Sequence, residues 1–226
     1  MHHLDIMPGV RLWPQLIAPT AQRHLIAEVF DRIAAAPFYR PVMPGSGKPF
    51  SVLETNLGPL GWVSDIRGYR YEPVHSETQL SWPSIPGSLL ALWRELTAYP
   101  EEPECCLVNL YRGGARMGLH QDRDEAALDA PILSVSLGDD AQFRIGGDTR
   151  KAPTRSIRLR SGDVVLFGGP ARLAFHGIDR VIEGTSASIP GGGRLNLTLR
   201  RVSVPDNNDW QKQKDWQKQK DARPGG

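Results

Sequence analysis

The sequence predicts a mainly β fold with flanking helices, a β-sandwich or jelly roll, on three observations. From Cys105 onward, short β-rich runs recur at regular spacing between turn residues, the pattern of two packed sheets. Ahead of them lie two helical stripes bounded by prolines. The last β run alternates without a break, so that one of its faces is wholly polar and carries two arginines.

Each element follows from its residue pattern. Over residues 17–36, Leu25, Ile26, Val29, Phe30 and Ile33 recur at helical spacing, with Pro19 before them and Pro37 after, and one amphipathic helix is expected. Residues 41–84 are rich in Gly, Pro, Ser and aromatics, with strand-like fragments at 51–55 and 68–71, and are expected to form hairpins and loops over the core. Over 86–99, Leu89, Leu90, Leu92, Trp93 and Leu96 form a second stripe, which Pro100 and Pro103 end. The β runs then occupy residues 105–111, 132–137, 142–145, 156–160, 164–167 and 194–200. After Val204 the composition shifts, and residues 209–220 are Asp-Trp-Gln-Lys-Gln-Lys written twice; two copies are too few for a solenoid, so a disordered or helical tail is expected. These shifts divide the chain into an N-terminal helical extension (1–50), a loop-rich segment with its supporting helix (51–102), a β core (103–204) and a low-complexity tail (205–226).

Charge and cysteine usage narrow the function. The 27 Lys and Arg against 25 Asp and Glu leave a net charge of +2, which gives no electrostatic basis for tight, non-specific binding to phosphate backbones. A nucleic-acid partner must therefore be argued from the site. The two cysteines, Cys105 and Cys106, are neighbours on an expected strand and point to opposite faces, so a mutual disulfide is not expected and a reducing compartment fits. The first ten residues lack the basic start and long apolar run of a signal peptide, and no stretch approaches the about 18 apolar residues of a membrane span. A soluble cytoplasmic protein with no membrane partner is expected.

The chemistry-bearing residues are few. His120 and Asp122 are one residue apart at the end of a β-rich run, so on an extended chain they project to the same side. His176 follows the strand at 164–167 and a Gly-Gly-Pro turn, and can complete a face of two imidazoles and one carboxylate. That set leaves three positions of an octahedral ion open and suits non-haem Fe(II). An isolated His-x-Asp more often marks a surface hydrogen bond or a turn. The remaining histidines, His2, His3, His24 and His75, lack a carboxylate at ligand-like spacing and are expected to be structural or solvated. Arg194, Asn196, Thr198 and Arg200 share one face of the last β run, and its three leucines share the other. By periodicity alone the polar face reads as solvent-facing. Two guanidiniums on it would otherwise need an anion to grip, and a dicarboxylate would use both ends. Asn109 and Tyr111 likewise share a face, either beside that anion or on a solvated edge.

In order along the chain, Asn109-Leu110-Tyr111, His120-Gln121-Asp122-Arg123-Asp124-Glu125, Pro131-Ile132-Leu133-Ser134-Val135-Ser136-Leu137-Gly138, His176-Gly177-Ile178 and Arg194-Leu195-Asn196-Leu197-Thr198-Leu199-Arg200 closely resemble the AlkB family of Fe(II)- and 2-oxoglutarate-dependent dioxygenases, the bacterial alkylated-DNA repair type, over about residues 61–202. The resemblance implies a double-stranded β-helix, or jelly roll, with the metal at its mouth and an N-terminal nucleotide-recognition lid. It implies His120, Asp122 and His176 as catalytic iron ligands, and Asn109, Tyr111, Arg194, Asn196, Thr198 and Arg200 as 2-oxoglutarate contacts, with Arg194 and Tyr111 at the distal carboxylate. Trp62, Tyr69, Arg70 and Tyr71 fall where the family's lid meets substrate, and Asp124 and Arg150 match its base-proximal acidic and basic positions. Phe167 departs from the tryptophan of the best-known bacterial members but keeps an aromatic wall.

The implied reaction uses Fe(II), with 2-oxoglutarate and O2 as co-substrates, to demethylate 1-methyladenine and 3-methylcytosine in DNA with release of formaldehyde. The implied partner is alkylated DNA, preferably single-stranded, with RNA as the alternative polymer and no obligate protein partner. Two rival expectations stand beside it: a dioxygenase of this fold acting on RNA, protein or a small molecule, and a metal-free module that reads modified bases. The intact triad with both arginines argues against the module.

Overall fold

The computed structural model describes residues 2–204; the tail expected at 205–226 lies outside the described residues. Two short strands, β1 (Leu4–Met7) and β2 (Val10–Trp13), precede helix α1 (Pro19–Arg32). Strand β3 (Leu53–Leu57), a hairpin of β4 (Gly61–Asp65) and β5 (Gly68–Glu72), and helix α2 (Gly87–Thr97) follow. The rest is β: β6 (Cys105–Tyr111), β7 (Met117–His120), β8 (Ile132–Gly138), β9 (Asp140–Ile145), β10 (Arg155–Leu159), β11 (Val164–Phe167), β12 (His176–Ile182) and β13 (Arg194–Arg200), with one 3-10 turn at Gly169–Ala171.

The strands form a seven-stranded sheet, ordered β1-β2-β11-β8-β13-β6-β3, and a four-stranded sheet, ordered β10-β9-β12-β7, with β4 and β5 as a separate ribbon. An apolar layer drawn from both sheets, including Ile132, Phe143, Ile145, Phe167 and Ile178, lies between them. This is the expected jelly roll. Its outer cover is a second apolar cluster, in which Leu25, Ile26 and Val29 of α1 and Leu89, Trp93 and Leu96 of α2 pack on the large sheet. No described helix is long and apolar enough to cross a membrane.

Strand β13 is the seam of this architecture. It is paired on both sides, to β6 and to β8. Leu195, Leu197 and Leu199 are fully buried in the helix-side cluster, each contributing about 1.5–3 kcal/mol of apolar burial. Arg194, Asn196, Thr198 and Arg200 point the other way yet are no more than 9% exposed. The polar face is therefore not solvent-facing as periodicity alone favoured; it closes on the interior between the sheets. Cys105 and Cys106 are free, buried and in different clusters, as expected of neighbours on one strand.

The structure differs from the sequence reading at the edges. Helix α1 stops at Arg32, because the next residues tighten into i→i−3 bonds such as Ala36 N to Ile33 O ahead of Pro37. Helix α2 ends where Ala98 takes a left-handed φ of 52°. Strands β1, β2 and β3 all join the large sheet, which thus crosses the boundaries at 50 and 102 drawn from composition. The four-residue strands β1 and β2 carry too little alternation to be recognised, whereas β3 overlaps the strand-like fragment expected at 51–55.

Gly177 lets the two histidine-bearing strands approach. A Cβ there would come within 2.5 Å of Met117 O and 2.8 Å of Gly118 O, both backbone atoms of β7. Gly177→Ala is expected to cost about 1–3 kcal/mol through overpacking. Thermal melting of the metal-free protein should show a midpoint lowered by several degrees, and an unchanged midpoint would mean that β7 and β12 can part freely.

Candidate active site

His120 ends β7 and His176 begins β12, and the two are direct cross-strand partners, with ring centroids 4.4 Å apart. Asp122 follows β7 by two residues, and its carboxylate oxygens lie 3.7 Å from His120 Nε2 and 3.7 Å from His176 Nε2. One ligand atom from each of the three residues falls within 4.8 Å of the others, a spacing a single ion can bridge. Both imidazoles are held in one tautomer. His120 Nδ1 lies 2.9 Å from Gly118 O and His176 Nδ1 lies 3.0 Å from Ala174 O. A carbonyl only accepts, so each Nδ1 carries the hydrogen and each Nε2 presents its lone pair to the cluster. Burial and the neighbouring His120 push the His176 pKa down to about 4, so that ring is neutral at neutral pH.

The Asp122 carboxylate is buried, and burial alone would raise its pKa. Arg200, the two histidines and Arg172 outweigh that and hold it well below the usual carboxylate range. Arg200 Nη2 donates to Asp122 Oδ1 at 2.9 Å. Behind this pair, Glu125 accepts from Arg172 Nη2 at 3.0 Å and from the Tyr71 hydroxyl, and Arg172 also donates to the backbone oxygens of Ala130 and Asp122. Asp122 Oδ2 has no hydrogen-bond partner, as expected of a ligand atom facing a cation. Glu125 and Arg172 were not anticipated from sequence as site residues. Nothing local marks them, since each is an ordinary charged residue until the fold buries it against the other.

The inward face of the large sheet is polar in rows. Arg194 stands opposite Tyr111, Asn196 opposite Asn109 and Thr198 opposite Leu107. Arg194 is fully buried; its Nη2 donates to Ser136 Oγ at 2.9 Å, while Nε and Nη1 have no partner. Two sealed, unsatisfied N–H groups of one buried guanidinium call for an anionic acceptor. Asn196 is tied by Nδ2 to Ser134 Oγ at 2.9 Å and Val135 O at 3.1 Å. Asn109 Oδ1 is buried without a partner, and burial raises the Tyr111 pKa against the pull of Arg194, keeping the phenol a neutral donor.

One cavity of about 450 Å³ joins His120, Asp122, His176, Asn109, Tyr111 and Asn196 to the β4–β5 ribbon; Arg194 does not line it and stands one row beyond Asn196, opposite Tyr111. Its mouth carries Trp62 and Tyr69, stacked with centroids 5.3 Å apart and planes 23° apart. Trp62 Nε1 donates to Asp124 Oδ2 at 2.9 Å, and Asn56 clamps the Trp62 backbone with two bonds of 3.0 Å. Arg150 lines the cavity too, over the Phe175 ring and donating to Leu119 O at 2.9 Å. Two expected substrate contacts are not at the cavity. Arg70 lies on the other face of the ribbon, paired with Asp65 and Glu72. Tyr71 is turned inward to Glu125 and lies 3.4 Å from Arg200 Nη1. His75 is structural, fully buried and bonded to Pro37 O at 2.8 Å.

Arg172→Ala removes every donation that Arg172 makes and leaves Glu125 short of a buried partner. A loss of about 3–5 kcal/mol is expected, since breaking a buried pair strands the remaining charge. Arg172→Lys should recover little, because one ammonium cannot serve three separated acceptors. Denaturant midpoints of both variants check this, and a near wild-type midpoint for either would contradict it.

A family model described as the 2OG-Fe(II) oxygenase superfamily matches residues 9–200. The chain is 58% identical over 201 residues to an alpha-ketoglutarate-dependent dioxygenase AlkB homolog of Caulobacter vibrioides, covering 88% of this chain and 90% of that one. It is 43% identical over 213 residues to the alpha-ketoglutarate-dependent dioxygenase AlkB of Escherichia coli K12, covering 88% and 98%. Among solved structures, that of OsALKBH1 matches with a TM-score of 0.77 at 28% identity, covering 88% of this chain and 100% of that one. The fold, the facing imidazoles and carboxylate, the waiting guanidinium and these relatives agree: the chain belongs to the AlkB family of Fe(II)- and 2-oxoglutarate-dependent dioxygenases.

Proposed function

We propose that this enzyme demethylates N-alkylated bases of DNA, 1-methyladenine and 3-methylcytosine foremost, and so repairs alkylation damage. The observation that carries this reading is the cavity in which a His-Asp-His cluster and an aromatic mouth meet, with the unsatisfied guanidinium of Arg194 standing one row beyond Asn196, which lines it. When bound, Fe(II), 2-oxoglutarate and O2 supply the oxidation, in which CO2 leaves, one oxygen atom ends in succinate and the other enters a C–H bond of the methyl group.

The protein's part is to bind, orient and exclude. His120, Asp122 and His176 would hold the metal through their tautomer-fixed Nε2 atoms and the ionised carboxylate. Arg194 would pair with the distal carboxylate of the co-substrate, with Tyr111 beside it; Asn109, Asn196 and Thr198 line the stretch toward the metal. Arg200 acts at the metal end by holding Asp122. At the mouth, Trp62 offers the face on which an extruded base stacks, taking over the surface that the half-exposed Tyr69 covers in the free protein. Extrusion costs least from a single strand, so single-stranded DNA is the preferred partner. Asp124, held at the Trp62 edge, favours a base that carries a positive charge, as does the aromatic face itself. After oxidation the hydroxymethyl group loses its O–H proton, the C–N bond breaks with its electron pair going to the base nitrogen, and formaldehyde departs.

Succinate and formaldehyde release with methylated oligonucleotides tests the reading against methylated RNA and peptides. His120→Ala, Asp122→Ala and His176→Ala should each abolish turnover with the fold kept; undiminished 2-oxoglutarate decarboxylation in any of them would refute the metal assignment. Arg194→Ala should raise the apparent requirement for 2-oxoglutarate, the loss of about 2–5 kcal/mol corresponding to roughly 30-fold to a few thousand-fold. Trp62→Ala and Asp124→Ala should lower kcat/KM on methylated oligonucleotide and leave substrate-free decarboxylation nearly unchanged. Neutral lesions such as 1-methylguanine and 3-methylthymine should be repaired more slowly than cationic ones at neutral pH, and equal rates would contradict the role given to the mouth.

A further inference from the structure

Glu54 is an acid that the assignments above do not use. It sits on β3, at the edge of the large sheet, is fully buried and lines the same cavity. Neither of its carboxylate oxygens has a hydrogen-bond partner. Its cross-strand partner is Asn109, whose side-chain oxygen is also buried and unpartnered. Asn109 in turn stands opposite Asn196, and Asn196 opposite Ser136, so Glu54 ends a row of four polar side chains laid across four strands. Side chains directly opposite in an antiparallel pair have Cβ atoms about 4.5–5.5 Å apart, well within the reach of a glutamate.

We propose that Glu54 is a positioning residue of the co-substrate site: as a neutral carboxylic acid it donates to Asn109 Oδ1 and fixes the Asn109 amide with its N–H groups toward 2-oxoglutarate. The inference rests on the reading of Asn109 as a co-substrate contact. Its chemistry is simple. An ionised Glu54 beside the Asn109 oxygen would place acceptor against acceptor, and both would stay unsatisfied in a sealed site. One proton on Glu54 supplies the missing donor. Of the groups around it Arg200 alone favours ionisation, and it is bonded to Asp122, while the Tyr39 and Tyr111 phenols are pushed far up by their own burial. Burial, partly opposed by Arg200, raises the Glu54 pKa from 4.5 to about 8.

The sign of the pH effect follows. Between 4.5 and about 8 the folded state binds the Glu54 proton and the unfolded state does not, so this group's contribution to stability is complete at low pH and lost as pH rises through that window. Infrared difference spectra of the metal-free protein against Glu54→Gln should contain a protonated-carboxyl band at neutral pH that fades near pH 8. Glu54→Gln should also flatten the fall in melting temperature over the same range. Absence of the band at neutral pH overturns the proposal.

Kinetics supply the second arm. Glu54→Leu, which has no donor, should raise the apparent KM for 2-oxoglutarate about tenfold, the equivalent of roughly 1.4 kcal/mol for a lost hydrogen bond, with kcat little altered. Glu54→Gln, which keeps a donor, should restore most of it, and combining Glu54→Leu with Asn109→Ala should add little to Asn109→Ala alone. If Asn109→Ala raises the KM and Glu54→Leu does not, the role of Glu54 falls while Asn109 stands. A normal KM in Asn109→Ala would instead remove the reading of Asn109 itself.

Discussion

A carboxylate cannot stay ionised inside a protein unless the surroundings hold it so, and Asp122 is the point on which the site turns. Its Oδ1 is satisfied by Arg200, its backbone oxygen by Arg172, and Arg172 is itself neutralised by Glu125. Two acids and two guanidiniums thus form a balanced buried group in which each charge justifies another. Such networks contribute little net stability, because desolvation consumes most of the Coulombic gain. What they supply here is position. The loop that carries Asp122 and Glu125 is fastened to β13 through Arg200, and through Arg172 to the chain just past the 3-10 turn, so that the Asp122 carboxylate faces both imidazoles, Oδ1 toward His120 and Oδ2 toward His176.

The same logic fixes the register of the large sheet. Along β13, leucines alternate with polar residues, and the two faces belong to different environments, the helix-covered core and the cavity. A slip of one residue would put three leucines into the cavity and drive two arginines against α1 and α2. Pairing on both sides with β6 and β8 carries that register outward, setting Asn109 and Tyr111 against Asn196 and Arg194. The histidines depend on the second sheet, where the β7–β12 pairing and the bare backbone of Gly177 bring them face to face. The metal cluster is therefore a product of the sheet pairing rather than of local sequence.

Legibility in the sequence follows from these constraints. Strands β6, β11 and β13 coincide with the runs expected, because they are apolar or alternate strictly over their whole length. The triad was legible through the order of its surrounding motifs, since His-x-Asp alone would have been read as a turn. In the ribbon, Trp62 and Tyr69 lie at the cavity and Arg70 does not; a period of two already separates Arg70 from the face of Tyr69. Tyr71 shares that face but lies two residues further along, where Glu125 takes its hydroxyl. Glu125 and Arg172, 47 residues apart, were not legible at all. Glu54 was hidden for another reason: residues 51–55 read as a strand-like fragment, but one too short to show which face Glu54 takes.

The unsatisfied atoms of the cavity are of both signs, and their distribution bears on how the site is filled. Asp122 Oδ2 is an acceptor facing His176 Nε2, whereas Arg194 Nε and Nη1 are donors behind the cavity lining, two rows beyond Thr198 on the same strand face. Each such buried group costs about 1–3 kcal/mol while it lacks a partner. A divalent cation alone would satisfy the first and add two positive charges to a cavity lined by Arg200, with Arg194 just behind it. A dicarboxylate alone would satisfy the second and add two negative charges beside Asp122. Together the two are neutral, so the pair answers both sets of unsatisfied atoms without changing the charge of the cavity. With the metal and co-substrate placed as proposed above, each would lower the electrostatic cost of admitting the other.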